Sequence, residues 1–174
     1  MAVDEALPRY LEQEEFQAFL RAEPDPDFRR LWELYLRTGC RRSELLQLTV
    51  EDINWRGRVI LVKRTKGRRA KPIPITPEVE QLIREIQVQV GKLFPWTPDY
   101  VTHRFKKWSR AAGLECRLHD LRHTYGSWLV QAGVEIKVLK DLMGHRDVKT
   151  TEIYAHLKLE QLAKASEKIK VEKP

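Results

Sequence analysis

The chain has 174 residues, with 32 Lys and Arg against 25 Asp and Glu and a formal net charge of +7. That is the size of one ordinary domain, and a chain this long buries roughly 70% of its extended surface without needing disulfides or metals. No apolar run reaches the ~18 residues of a membrane helix, the start MAVDEALPRY lacks the basic-then-apolar build of a signal peptide, and two cysteines, Cys40 and Cys116, are too few for a disulfide framework or a zinc knuckle. A reduced, cytoplasmic setting is expected, and the basic excess favours a polyanionic partner.

In chain order, 11–22 places Leu11, Phe16, Phe19 and Leu20 on one helical face. Asp25 then offers an N-cap and Pro26 a first helical position for a helix running through Leu36, stopped at Thr38-Gly39. Arg42 to Leu48 reads as a short helix. Residues 50–75 hold three strand-like runs, VEDIN, RVILV and KPIPI, separated by Asn54-Trp55-Arg56-Gly57 and by the basic turn Lys66-Gly67-Arg68. They predict a small antiparallel sheet of two or three strands.

Thr76-Pro77-Glu78 is a cap, a first-turn proline and a first-turn acid, opening a helix that carries Val79, Leu82, Ile83, Ile86 and Val90 at a 3.6 period. After Gly91 and the Pro95–Pro98 loop, Thr97 caps a helix over 98–111, on which His103, Arg104, Lys106, Lys107 and Arg110 interleave with Phe105 and Trp108. Further helices are predicted near 119–132, 135–142, 147–155 and 158–169, with a frayed tail at about 169–174. The fold class is mainly α with a small antiparallel β-sheet, α+β, in a single domain over 1–174.

Several polar residues lie where a plain helical bundle does not require them. An arginine pair, Arg41-Arg42, stands at a turn that opens a helix, followed by Glu44. His119 and Arg122 share a helical face at i and i+3, while His123 is read as pointing elsewhere and as structural. His145 follows Gly144 at a helix end, and Tyr154 comes nine residues later. Each has an ordinary explanation taken singly: an ion pair with Glu44 for Arg41, a capping role for His119, the helix macrodipole for His145, a core-edge tyrosine for Tyr154, a solvated turn for the lysines and arginines of 63–71. Order and spacing together carry the weight.

In that order the chain closely resembles the tyrosine recombinase (phage integrase) family. TGCRRSELLQLTVEDIN resembles the family's first box, TKGRRAKPIPI its lysine-bearing hairpin, HDLRHTYGSWLVQAG its His-x-x-Arg box, and LKDLMGHRDVKTTEIYAHL its last box with the nucleophilic tyrosine. The resemblance runs from about Leu11 to Lys168. It implies a catalytic domain that breaks and rejoins DNA with no metal and no cofactor. Arg41 and Arg122 would clamp the phosphate, Tyr154 would attack phosphorus, His119 would act as general base, Lys66 as general acid, and His145 would donate to a non-bridging oxygen. Glu44 would orient Arg41 or His119. TG-x-R favours Arg41 over Arg42, and Lys66-Gly67 favours Lys66 over Lys63 and Lys71.

DNA contacts are expected from the hairpin (Arg64, Arg68, Arg69) and from the basic helix (Arg104, Lys106, Lys107, Arg110), chiefly to phosphates. The resemblance further implies double-stranded DNA as partner, a homo-tetramer on DNA with the terminal helix docked on a neighbour, mainly monomer when free, and no membrane. The family's N-terminal clamp domain is expected to be absent. Two other classes compete: a type IB topoisomerase-like enzyme, which would relax DNA without recombining it, and a non-catalytic DNA-binding module, in which Tyr154→Phe would change nothing.

Overall fold

The computed structural model describes residues 9–63, 70–135, 138–139, 163–164, 166–169 and 171. In chain order the elements are α1 (Gln13–Ala22), α2 (Pro26–Thr38), α3 (Arg42–Leu46), a 3₁₀ turn (Val50–Asp52), β1 (Ile53–Asn54), β2 (Val59–Val62), β3 (Lys71–Pro74), α4 (Pro77–Glu85), α5 (Pro98–Ala111) and α6 (Asp120–Gln131). The mainly helical architecture with one small sheet matches the reading of the sequence. The expected helix at 147–155 lies outside the described residues, as do most of 135–142 and half of 158–169.

The caps form where the residues predict them. The Asp25 carboxylate accepts from the Asp27 N–H at 2.9 Å, and Thr76 and Thr97 accept from Val79 and Tyr100 N–H groups at 3.3 and 3.4 Å. Gly39 ends α2 in the left-handed conformation (φ 57°), its N–H reaching the Tyr35 carbonyl at 3.1 Å. The three strands form an antiparallel meander in the order β1-β2-β3, with Ile53 opposite Ile60 and Val62 opposite Lys71. Pro72 and Pro74 are tolerated because β3 is an edge strand, where a missing N–H costs no ladder bond.

The α2 helix is the central post, packed on α4 and on α6, while α1 packs on α5. Phe16, Phe19, Phe28, Trp32 and Phe105 fill the space between them, with Phe19 and Phe105 ring centroids 4.8 Å apart. The α6 helix is fixed from below by the chain's first described segment. Leu11 N–H donates to Thr124 Oγ1 at 2.9 Å, and Trp128 Nε1 donates to the Leu11 carbonyl at 2.9 Å.

Two expectations are corrected. The helix read as reaching Val90 ends at Glu85, and Val90 is exposed. The chain after it turns at Gln87 (φ 56°) and returns to pair with the segment behind α3, Val50 N–H donating to Gly91 O and Leu93 N–H to Leu48 O, both at 2.9 Å. Those backbone bonds compete with helix continuation and win. In the stretch expected to fray, Ile169 is 4% exposed within the core and Val171 packs against it. Arg37 Nη1 donates to the Ile169 carbonyl at 3.4 Å.

Candidate active site

The site grows from the α2–α3 turn. The left-handed Gly39 reverses the chain, buries Cys40, and starts α3 with Arg41 at its N-cap. Glu44 closes that turn: its carboxylate accepts the Arg41 N–H at 2.8 Å and Arg41 Nη1 at 3.1 Å. Arg122, one turn into α6 and 3% exposed, donates to the Gly39 carbonyl. Two guanidinium groups from segments about eighty positions apart are thus brought onto one turn.

The electrostatics are those of an anion site. Burial lowers the Arg122 pKa, the neighbouring charge of Arg41 lowers it further, and Glu44 works against both. Burial alone would raise the Glu44 carboxyl. The Arg41 N–H, the charge of Lys71 and the Arg41 guanidinium more than offset that, so it sits below its ordinary value of 4.5. Lys71 is 4% exposed at the start of β3 and its charge also bears on Cys40. Three cations against one carboxylate leave an excess of two positive charges around the pair of guanidiniums. Planar forks that do not deprotonate suit paired contacts to phosphate or carboxylate oxygens.

His119 is the N-cap residue of α6, exposed, with its ring against that of His123 at a centroid distance of 4.8 Å and 85° between planes. Its pKa lies below the ordinary 6.5, first from partial desolvation, then from His123 and Arg122. A neutral imidazole at neutral pH can accept a proton. His123, read from the sequence as pointing elsewhere, faces His119, because residues four apart share a helical face.

The ambiguities of the sequence reading narrow. Arg42 turns away from the pair and donates to Thr102 Oγ1 at 2.7 Å on α5. Lys63 is held by the buried carboxylate of Asp52 at 2.9 Å, which also accepts from Thr49 N–H and Oγ1. Lys66, Arg64, Arg68 and Arg69 of the hairpin lie outside the described residues, as do His145 and Tyr154.

On α5, Lys106, Lys107 and Arg110 are exposed. Lys106 and Arg110 share with Arg9 and Arg117 the rim of a cleft of about 660 Å³, floored by Phe105, Leu114 and Leu118. Arg104, expected on this DNA-facing surface, instead turns inward. Its guanidinium spans both oxygens of the fully buried Glu23, at 2.5 and 3.1 Å, and lies 4.0 Å from the Phe28 ring centroid. Glu23 also accepts from Trp32 Nε1 at 3.2 Å.

Sequence reasoning weighed Lys71 only as a rival of Lys66 and missed its burial. Its signal was the strand period: Lys71, Ile73 and Ile75 alternate onto one face, and all three are buried. No group of His, Cys, Asp and Glu able to hold a metal ion occurs among the described residues.

The sequence profile of the Phage integrase family matches residues 9–161. Tyrosine recombinase XerA of Saccharolobus solfataricus is 32% identical over 155 residues, covering 87% of this chain and 53% of that protein. The integrase from mycobacterium phage Brujita superposes with a TM-score of 0.83 at 22% identity, over 99% of this chain and 62% of that one. XerH site-specific recombinase, bound to its palindromic difH substrate in a post-cleavage complex, superposes with a TM-score of 0.68 at 25% identity, over 95% and 54%. The chain spans between about half and two thirds of the length of these relatives.

Proposed function

The chain belongs to the phage integrase family, and on that premise we propose that it is the catalytic domain of a site-specific DNA recombinase. It cleaves and rejoins double-stranded DNA without a metal, through a 3′-phosphotyrosyl intermediate on Tyr154. The observation that carries this reading is the convergence of Arg41 and Arg122 on one turn, with Glu44 holding Arg41 and a net excess of positive charge around them. A phosphodiester gathers negative charge on its non-bridging oxygens as it becomes five-coordinate, and preorganised donors stabilise that charge more than the ground state.

The steps balance as follows. Tyr154 gives its phenolic proton to His119 and its oxygen bonds to phosphorus. The bond from phosphorus to the 5′-oxygen breaks, and Lys66 supplies that oxygen with a proton. Rejoining runs the same steps backwards, so the bond energy is kept in the covalent intermediate. Arg41 and Arg122 hold the non-bridging oxygens, with His145 adding a hydrogen bond. Lys66 takes the acid role because its rivals are occupied elsewhere: Lys63 by Asp52, and Lys71 by burial beside Glu44 and Cys40.

Lys106, Lys107 and Arg110, with Arg64, Arg68 and Arg69 of the hairpin, contact phosphates. Arg104 serves the core. The domain works as a tetramer assembled on DNA, mainly monomeric when free, and acts in the cytoplasm; no helix among the described residues is long and apolar enough to cross a membrane.

Arg122→Lys and Arg41→Lys test the reading. Each keeps one positive charge and loses the fork, so covalent cleavage of a nicked duplex falls by roughly 100- to 1,000-fold while DNA affinity changes little. Unaltered cleavage in both variants would remove the clamp from the mechanism.

A further inference from the structure

We propose that His123 is a positioning residue for the strand-cleavage reaction: its ring, set against His119, holds that imidazole in one orientation, from which it can act as base. The inference rests on the reading of His119 as general base.

The geometry is specific. His119 caps α6 and His123 stands one turn further on, the two centroids 4.8 Å apart with planes at 85°. At this separation His123 acts to lower the His119 pKa. His119 sits at the N-terminal end of α6, where the macrodipole is positive and disfavours a cation.

The neighbouring charges act in the same sense. Arg122 on the same helix and Arg117 in the turn before it both disfavour a proton on His119, and only Asp120 favours one. Asp120 is itself occupied, accepting the Arg117 N–H at 2.7 Å with Arg117 Nη2 at 3.7 Å from its other oxygen. An exposed imidazole next to DNA phosphates would otherwise be drawn toward the protonated form, which cannot accept the tyrosine proton. His123, one turn away, acts against that pull.

The test is a proton NMR titration of the imidazole signals in the full chain, which holds five histidines, comparing wild type with His123→Phe and His123→Gln. His119→Gln identifies the His119 signal. His123→Phe keeps a ring in the contact and His123→Gln keeps its polarity, so at least one variant retains the fold. The titration of His119 should move to higher pH. An unmoved His119 midpoint in a folded variant would overturn the proposal.

A second readout follows nicking of supercoiled plasmid against pH. In His123→Gln, which loses the ring contact, the plateau rate falls and the acidic limb moves up in pH. If His119→Gln leaves that limb unchanged, the base assignment of His119 fails, and the NMR result still decides whether the two rings are coupled.

Discussion

At the residue scale, Gly39 links the two guanidinium-bearing segments: its conformation sets where Arg41 begins and its carbonyl receives Arg122. A methyl at Gly39 would overlap the Tyr125 ring, in a backbone region that other residues rarely adopt. Gly39→Ala is therefore predicted to destabilise by at least ~1–2 kcal/mol from the backbone alone, and to slow cleavage more than an equally destabilising core variant. Urea unfolding beside the cleavage rate checks both. Arg41, Glu44, His119 and Arg122 were singled out by motif order, and the structure brings Arg41, Glu44 and Arg122 onto one turn. TG-x-R already favoured Arg41 over Arg42; what lay outside the sequence reading was the partner of Arg42, Thr102, sixty positions away. His123 was legible and misread: the i, i+3 pair of His119 and Arg122 drew notice, while the i, i+4 pair of His119 and His123 meets as well.

At the element scale, α5 shows how a basic helix divides its charges. Val101, Phe105 and Trp108 form the inward stripe, and Arg104 stands three after the first and four before the last, so its stem enters the core, where Glu23 awaits it. That spacing was visible. The buried acid that makes an inward arginine stable was not, because Glu23 lies 81 positions away. Removing one partner of a buried pair leaves the other charge uncompensated, so Arg104→Ala is predicted to cost about 3–5 kcal/mol of stability. Lys106→Ala and Arg110→Ala should leave thermal stability unchanged and each reduce the salt dependence of DNA binding by about one counterion. Equal melting temperatures for Arg104→Ala and Lys106→Ala would refute the division. The end of α4 shows the reverse problem: the apolar period continued to Val90, but pairing of 91–93 with the segment behind α3 overrode it.

At the scale of the whole molecule, the same groups that form the site limit its stability at both ends of the pH range. Burial raises the carboxyls of Glu44 and Asp52, but hydrogen bonds and cations lower them further, so their contribution is complete above the ordinary carboxylate range and is lost as pH falls through the folded values. His119, also lowered, adds loss of the same sign from about pH 6.5 downward. Cys40 and Tyr35 are raised by burial, Tyr35 to about 12, so their contribution is present at low pH and is lost as pH climbs above the ordinary thiol value of 9.0. Unfolding free energy should thus be flat between about pH 6.5 and 9, falling on both sides, with the acid side shallower in Glu44→Gln. An acid limb identical in that variant would contradict the assignment.

The most direct test of the central claim is a covalent trap. The protein is incubated at low salt with supercoiled plasmid and nicked duplexes in the presence of a chelator, quenched with detergent, and the adduct is mapped by mass after nuclease digestion. The account predicts a nucleotide on Tyr154, formed without metal and lost in Tyr154→Phe. An adduct carried by another residue, or cleavage that persists undiminished in Tyr154→Phe, would contradict it.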